Sequence, residues 1–326
     1  MKNPPIKEIA AAIKAAPRVV VATHIQADGD AVGSVLGLVH ALRARGHSVV
    51  AWPVVNPPRR YRFLAGFEEL EIAGDPAVRD SDLLVALDCA DPGRLPYALV
   101  CRARKGERVV AVDHHASNGG FGEIRWVDPQ SPAASAQVWG ILREMGDPFP
   151  VNAAYALYVG LVTDTGNFTY SNTNRWAFEA AADLICRGVD VARVERELHQ
   201  RYTLEYANVL GAALAGMKRA VNGAVVYTSL SRADMERAGA AGDETEGIVD
   251  FTRRIAGCRI GVLFRELLNN AVKVSFRAAD ELDLLPLAVA HGGGGHAAAA
   301  GCRVEGSLSE VQRLILAEVE TWLRGR

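Results

Sequence analysis

The first half of this chain alternates short apolar runs with segments of helical periodicity, and this alternation is the feature that most constrains its fold. The apolar runs are typical of buried strands and lie at 18–24, 47–55, 81–88 and 107–115. Helical spacing of apolar residues occurs at 30–46, 132–146, 152–166 and 173–188. Apolar strands that alternate with helices are typical of a parallel, doubly wound sheet. The sequence therefore predicts an α/β fold with a mainly parallel N-terminal sheet.

The second half has a different pattern. A charged, continuously helical stretch covers 189–217. Strand patterns then follow at 224–231, 258–267 and 270–278, and helical patterns at 244–257 and 307–325. A chain of 326 residues is long enough for two cores. We predict an N-terminal domain at 1–188, a helical linker at 189–217 and a smaller α/β domain at 218–326.

Charge and cysteine usage restrict the class of function. The formal net charge is −2, which argues against a long basic track for duplex nucleic acid but is compatible with a small phosphorylated substrate. The five cysteines include no CxxC pair, which indicates reduced thiols in a cytoplasmic chain. We identify no signal peptide and no apolar run of membrane-spanning length. The expectation is a cytoplasmic protein without membrane association.

Aspartate and histidine residues follow the predicted strands at the points where these strands end. Three such clusters follow the first, third and fourth apolar runs, and a fourth acidic position interrupts an apolar helix. The carboxyl ends of parallel strands share one edge of a sheet, where ligands bind, so we expect these side chains to converge. The positions are His24, Asp28 and Asp30; Asp88 and Asp91; Asp113, His114 and His115; and Asp164.

Several carboxylates packed together are costly unless positive charge lies between them. A pair of divalent metal ions supplies that charge, and two metals are suited to displacement at phosphorus. Carboxylates with one or two imidazoles suit Mn²⁺ or a similar borderline ion, whereas an all-oxygen shell favours Mg²⁺ or Ca²⁺. The cluster therefore predicts a two-metal hydrolytic site.

Each position also has a simpler interpretation. Asp28 or Asp30 alone would be the N-cap of the helix that follows. The sequence that begins at Asp88 is compatible with an ordinary turn, and His24 alone is more often a structural histidine. Asp164 alone would cap the next segment. It is the occurrence of all four at strand or helix ends of one sheet that favours the metal site.

The motifs that contain these residues resemble those of the DHH phosphoesterases. The first motif of that family is HxxPDxDAxGS, and this chain has HIQADGDAVGS, with Ala27 in place of the proline. The other three motifs are matched by LDCADPGR, by DHH at 113–115 and by LVTDTGNF. The resemblance covers nearly the whole N-terminal domain.

This resemblance implies two metal ions, with Mn²⁺ the first choice and Mg²⁺ or Co²⁺ as alternatives. It implies that His115 faces the substrate phosphate as a hydrogen-bond donor and proton source, and that Asp113 orients its neighbours. Asp88 would bridge the two ions. The implied metal ligands are His24, Asp28 and Asp88 for one ion, and Asp30, Asp88, His114 and Asp164 for the other.

The C-terminal part resembles the DHHA1 domain, which is marked by GGGHxxAAG and is matched by residues 293–301. In that family the glycine loop, its histidine and an arginine on a neighbouring strand hold the part of the substrate that lies away from the scissile phosphate. Glycines allow backbone N–H groups to approach an anion, and arginine offers a planar fork for phosphate. Alone, the arginine would be a solvated strand residue and the loop a flexible connection. The implied substrate-binding residues are Ser275, Arg277, Gly294, Gly295 and His296.

The compact arrangement of DHH and DHHA1 resembles enzymes that degrade short oligoribonucleotides and dephosphorylate 3′-phosphoadenosine 5′-phosphate (pAp). The implied activity is metal-dependent hydrolysis of short RNA to mononucleotides, with pAp as a second substrate. A cyclic-di-AMP phosphodiesterase is an alternative enzyme, and a non-catalytic nucleotide sensor is an alternative of another class. The resemblance also implies a homodimer.

Overall fold

The structure, a computed structural model, describes residues 4–72, 74–199, 202–279, 282–295 and 297–325. The chain divides into two units, Met1–Arg201 and Tyr202–Arg326. The strands of the first unit are β1 Val19–Ala22, β2 Val49–Ala51, β3 Leu83–Leu87, β4 Val109–Asp113 and β5 Ile124–Val127. Its helices are α1 Ile6–Ala15, α2 Gly29–Ala44, α3 Phe67–Leu70, α4 Tyr97–Lys105, α5 Ala134–Met145, α6 Val151–Asp164, α7 Arg175–Cys186 and α8 Val191–His199.

The five strands of the first unit form a sheet in the order β2–β1–β3–β4–β5, and every neighbouring pair is parallel. Strands β1, β3 and β4 are buried along their whole length. Along β1, Val19 and Val21 pack into a core with α2, α5 and α6, whereas Val20 and Ala22 pack into a second core with α4. Helices therefore cover both faces, and the predicted α/β fold with a parallel sheet is confirmed.

The second unit contains the strands β6 Lys218–Ala220, β7 Val225–Leu230, β8 Ile260–Glu266, β9 Ala271–Ala278, β10 Gly294–Gly295 and β11 Ala299–Glu305. Its helices are α9 Leu204–Ala215, α10 Arg232–Ala238, α11 Ile248–Arg253, α12 Leu285–Val289 and α13 Leu308–Arg324. The sheet order is β10–β11–β9–β8–β7–β6, with β7 and β8 parallel and the other pairs antiparallel. This mixed sheet is the second, smaller α/β domain that the sequence predicts.

The stretch predicted as a linker, 189–217, contains α8 in the first unit and α9 in the second. Strands β5, β6, β10 and β11 are not predicted from the sequence. None of the five cysteines, all of which lie in the described part of the chain, forms a disulfide. No helix in the described part of the chain is both long and apolar enough to cross a bilayer.

Candidate metal centre

The loop between β1 and α2, together with the first turn of α2, carries the first three candidate ligands. His24 is buried, and Asp28 is exposed at the N-cap of α2. One carboxylate oxygen of Asp28 accepts hydrogen bonds from the backbone N–H groups of Asp30 and Ala31, both at 3.1 Å. Asp28 is therefore the helix cap that the simpler interpretation suggests, and it lies in the same cluster as His24.

Asp30 is buried between two helices. Its Oδ2 accepts from the backbone N–H of Ala134 at 2.6 Å, and its Oδ1 accepts from that of Ser135 at 2.9 Å. These N–H groups belong to the first turn of α5, where the helix dipole favours negative charge. Burial nevertheless raises the pKa of Asp30 to about 6, and the neighbouring charge of Asp88 adds to the rise.

Asp88 lies at the centre of the cluster and follows β3 in the left-handed backbone region, with φ of 53°. Its backbone N–H donates to the backbone oxygen of Val112 at 2.9 Å, and this hydrogen bond holds the turn against β4. Its Oδ2 lies 3.8 Å from Nε2 of His24, and its Oδ1 lies 3.6 Å from both Nε2 of His114 and Nδ1 of His115. Burial alone would raise the pKa of Asp88, but its contacts with His114 and His24 hold that pKa well below its usual range.

Asp113 and His115 form a fixed pair at the end of β4. Nδ1 of His115 lies 2.7 Å from Oδ1 of Asp113, and the other carboxylate oxygen accepts from Nδ2 of Asn118 at 2.7 Å. Because a carboxylate only accepts, Nδ1 of His115 carries a proton. Burial would lower the pKa of His115, but the hydrogen bond to Asp113 raises it above its usual value.

His114 faces three carboxylates at once. Its Nε2 lies 3.9 Å from Asp30, 3.6 Å from Asp88 and 3.7 Å from Asp164. Burial would lower its pKa, but these neighbours raise it well above the ordinary histidine value. The imidazole is therefore the local counter-charge for the acidic cluster.

Asp164 is the last residue of α6 and brings a carboxylate to the same place from a helix end. Burial raises the pKa of Asp164 well above its ordinary value. The nearby charge of His114 lowers this pKa, and the charge of Asp30 raises it further. Nδ2 of Asn172 donates to Oδ2 of Asp164 at 3.1 Å and also to the backbone oxygen of Pro132 at 2.8 Å. Asn172 thus ties the end of α6 to the loop that precedes α5.

Of the predicted substrate-binding residues, Ser275 and Arg277 lie on β9, and Gly294 and Gly295 form β10. Ser275 and Arg277 line a polar cavity of about 290 Å³, together with Arg265, Lys273 and others. The Arg277 side chain is 27% exposed, and its Nε lies 3.4 Å from Asp250. Burial lowers the pKa of Lys273, and the charge of Arg265 contributes. Arg277 is therefore a partly buried cation in a basic cavity.

The glycine-rich stretch forms a tight hairpin. Gly294 pairs with Gly301 and Gly295 with Ala300, and β11 places Ala299 opposite Arg277. Gly295 has φ of 134°, and a Cβ there would lie 2.4 Å from the backbone oxygen of Ala299. A side chain is therefore excluded at Gly295. His296 lies outside the described residues.

Comparison with known proteins identifies the family. Residues 18–161 match the DHH family, N-terminal domain, and residues 222–325 match the DHHA1 domain. The bifunctional oligoribonuclease and PAP phosphatase NrnA of Thermus thermophilus is 34% identical over 288 residues, which are 88% of this chain and 84% of that protein. The chain belongs to the DHH family. The protein of the same name from Bacillus subtilis is 27% identical, with 91% of this chain and 92% of that protein covered.

The fold of this DHH protein also has a counterpart among solved structures. An exopolyphosphatase-related protein from Bacteroides fragilis superposes with a TM-score of 0.88 and 24% identity, and 99% of each chain is covered. That similarity extends over both units of the chain and concerns the fold.

The donor set of this DHH protein fits divalent metal ions. Three groups of side chains each bring their ligand atoms within 4.8 Å of one another. In addition, Oδ1 of Asp88 is buried and accepts no hydrogen bond from any residue that the structure describes. A buried, unpaired carboxylate oxygen is costly unless a cation satisfies it. The groups are His24, Asp28 and Asp88; Asp30, His114 and Asp164; and Asp88, His114 and His115.

The first of these groups has the composition that the resemblance implies for one ion, and the second contains three of the four ligands implied for the other ion, without Asp88. The third contains His115, but its Nδ1 is engaged with Asp113 at 2.7 Å. Asp88 and His114 link the groups because their side chains approach to 3.6 Å. A metal ion held by one of the first two groups would therefore lie close to the ligands of the other group.

Sequence reasoning missed two amides that support this centre, Asn118 and Asn172. Nδ2 of Asn118 joins Asp113 to the backbone oxygen of Cys89, which follows Asp88. A weak signal exists for each, because Asn118 follows DHH by three residues and Asn172 follows Asp164 by eight. The spacing in sequence does not reveal the hydrogen bonds of Asn118 or Asn172, since these depend on how the loops fold back.

Proposed function

We propose that this chain is a two-metal phosphoesterase that hydrolyses short oligoribonucleotides to mononucleotides and converts pAp to AMP. The observation that carries the proposal is the convergence of four carboxylates on His114 and His24 at one edge of a parallel sheet. The two NrnA relatives, named for these activities, match most of the chain. Near-neutral net charge favours a short substrate over a long polymer.

The cluster has ligands suited to divalent metal, and we propose Mn²⁺ as the ion, with Mg²⁺ and Co²⁺ as alternatives. Bound metal would supply Lewis acidity and an activated water. His24, Asp28 and Asp88 would hold one ion. The second would be held by Asp30, Asp88, His114 and Asp164.

His115 is the proposed proton donor. Its Nδ1 is held by Asp113, so Nε2 is the nitrogen that can meet a leaving oxygen. Its raised pKa favours the protonated form that a donor needs. Asp113 orients the ring and stabilises its charge. In the second unit, we propose that Ser275, Arg277 and the 293–301 hairpin bind the rest of the substrate.

The test is hydrolysis by purified protein with Mn²⁺, using pAp, labelled RNAs of two to five nucleotides, cyclic-di-AMP and a long duplex. We expect AMP from pAp, mononucleotides from the short RNAs, and no product from the duplex or from any reaction that contains EDTA. Faster turnover of cyclic-di-AMP than of its linear product would favour the cyclic-dinucleotide alternative. Nucleotide binding without turnover would replace the proposal by a sensor. We also propose that the chain is a cytoplasmic homodimer. Sedimentation of the purified protein would test the dimer.

Asn172→Ala should weaken metal binding while leaving the fold intact. The substitution removes the N–H groups that hold Asp164 and the loop before α5. Loss of such supporting hydrogen bonds typically costs about 10- to 100-fold in metal affinity. Titration of the metal-free protein with Mn²⁺ measures this. Asn174→Ser is the control because it keeps an oxygen to cap α7 and loses a hydrogen bond to Gln130 of the same loop, without any contact to Asp164; equal affinities in the two variants would contradict the role of Asn172.

His296→Ala should raise KM far more than His291→Ala. The resemblance gives His296 a ligand contact, whereas Nε2 of His291 lies 2.7 Å from Glu318 on α13. Loss of a hydrogen bond to a charged phosphate corresponds to about tenfold in KM. Steady-state kinetics with pAp measures both variants, and Mn²⁺ affinity should stay unchanged in each. A larger KM effect at His291 would reverse the assignment.

A further inference from the structure

Backbone hydrogen bonds hold Arg94 at the edge of the metal centre. Its N–H donates to the backbone oxygen of Asp91 at 2.9 Å, and its own carbonyl accepts from the N–H of Ile25 at 2.9 Å. Asp91 in turn caps this short helical turn by accepting from Gly93 at 2.6 Å. The loop after β3 is thus fastened to the loop after β1, one residue beyond His24.

The Arg94 side chain points to the same edge. Its Nη2 lies 3.3 Å from Nδ1 of His24, and the residue is half-buried. Among the described residues, no carboxylate pairs with it, in contrast to Arg43, which pairs with Glu69. A half-buried guanidinium without an anion is costly, so an anionic partner would stabilise it.

The contact with His24 is incompatible with metal binding through Nε2. Arginine only donates, so the contact needs a lone pair on Nδ1 of His24. A histidine that binds metal through Nε2 normally carries its proton on Nδ1, and it then offers Arg94 no acceptor. If His24 held a metal ion in this way, the guanidinium would be left to bind another group at this edge.

Charge indicates what that group is. The four carboxylates of the proposed ligand set and two divalent ions balance one another, so the loaded cluster adds no net positive charge for an anionic substrate. Arg94, beside His24, supplies a positive charge at this edge. The guanidinium fork matches phosphate oxygens in pairs.

We propose that Arg94 binds a non-bridging oxygen of the scissile phosphate and stabilises the charge that develops during its hydrolysis. In that reaction a water oxygen bonds to phosphorus, the bond to the leaving oxygen breaks, and a proton reaches that oxygen. This role rests on the proposed function, because it names the substrate group that the same centre would cleave.

The experiment compares Arg94→Gln, Arg94→Lys and Arg104→Gln in the full chain. Arg104 is the matched control because it is an exposed arginine on α4, with Nη2 only 3.5 Å from where a Cβ on Gly93 would lie. For Arg94→Gln we expect kcat/KM on pAp to fall about 100-fold, as for loss of other charge-stabilising donors. For Arg94→Lys we expect a fall of about tenfold, since the charge remains and the fork is lost. Arg104→Gln should match wild type.

Two binding measurements separate this role from a structural one. Mn²⁺ affinity of Arg94→Gln, measured without phosphate or nucleotide, should stay within about threefold of wild type, while its affinity for inorganic phosphate, the group released from pAp, should fall about tenfold in the presence of Mn²⁺. A parallel loss of Mn²⁺ affinity would overturn the proposal and show that Arg94 acts through His24. So would a kcat/KM equal to that of the control. If wild type hydrolyses no nucleotide, the proposed function fails, and the affinity for inorganic phosphate decides the role of Arg94: an unchanged affinity in Arg94→Gln overturns that role.

Discussion

Asp88→Asn is expected to lower kcat/KM on pAp and on short RNA by at least about 10³-fold, because it removes the central carboxylate of a two-metal site. Asp88 contacts His24 through one oxygen and His114 through the other. An amide of the same shape cannot supply two anionic oxygens, so both ions should bind more weakly. Steady-state kinetics and Mn²⁺ titration of the metal-free protein measure the two effects.

Asp91→Asn is the matched control for this prediction. Asp91 lies three residues later in the same loop, is exposed, and uses a carboxylate oxygen to cap a short helical turn. Asparagine keeps that acceptor, so activity and metal affinity should remain near wild type. Asp88→Asn activity close to that of Asp91→Asn would mean that hydrolysis does not depend on this cluster.

The fold was predictable where local pattern and burial agree. Strands β1, β3 and β4 are continuous apolar runs because both faces of a parallel sheet are covered. Strand β5 is harder to predict since it has four residues, carries the exposed Arg125 and pairs only with β4. Strand β11 begins within an alanine and glycine stretch that has no strand propensity. Its position is set by pairing with β9, which is a tertiary effect.

The convergence of the candidate ligands was predictable because strand ends share one sheet edge. The hydrogen bonds that support these ligands were not predictable from the sequence. Asp30 meets the first turn of α5 across 104 residues of sequence, so one aspartate serves both as a helix-end partner and as a candidate ligand. Arg94 and Asn172 depend on loop conformations that no periodicity encodes. Sequence motifs therefore identify the ligands, and the structure adds the groups that hold them.

Gly33→Ala is expected to destabilise the protein by about 2 kcal/mol, because overpacking a tight contact costs roughly 1–3 kcal/mol. A Cβ on Gly33 would lie 2.4 Å from the backbone oxygen of Ala156 and 2.8 Å from the backbone N of Gly160. Backbone atoms of α6 cannot rotate away as a flexible side chain can, so α2 and α6 must separate. Thermal unfolding measures the loss.

The same separation should reach the metal centre, since α2 carries Asp30 and α6 ends at Asp164. Misplacement of ligands by about 1 Å can cost about 100-fold in rate, so kcat/KM should fall well beyond what partial unfolding explains. Gly140→Ala on α5 is the control, because its Cβ would meet Trp176 at an ordinary 3.5 Å. Alanine favours helix over glycine, so this control should unfold no earlier than wild type. A Gly33→Ala variant with wild-type stability and Mn²⁺ affinity would show that close approach of the two helices does not position the ligands.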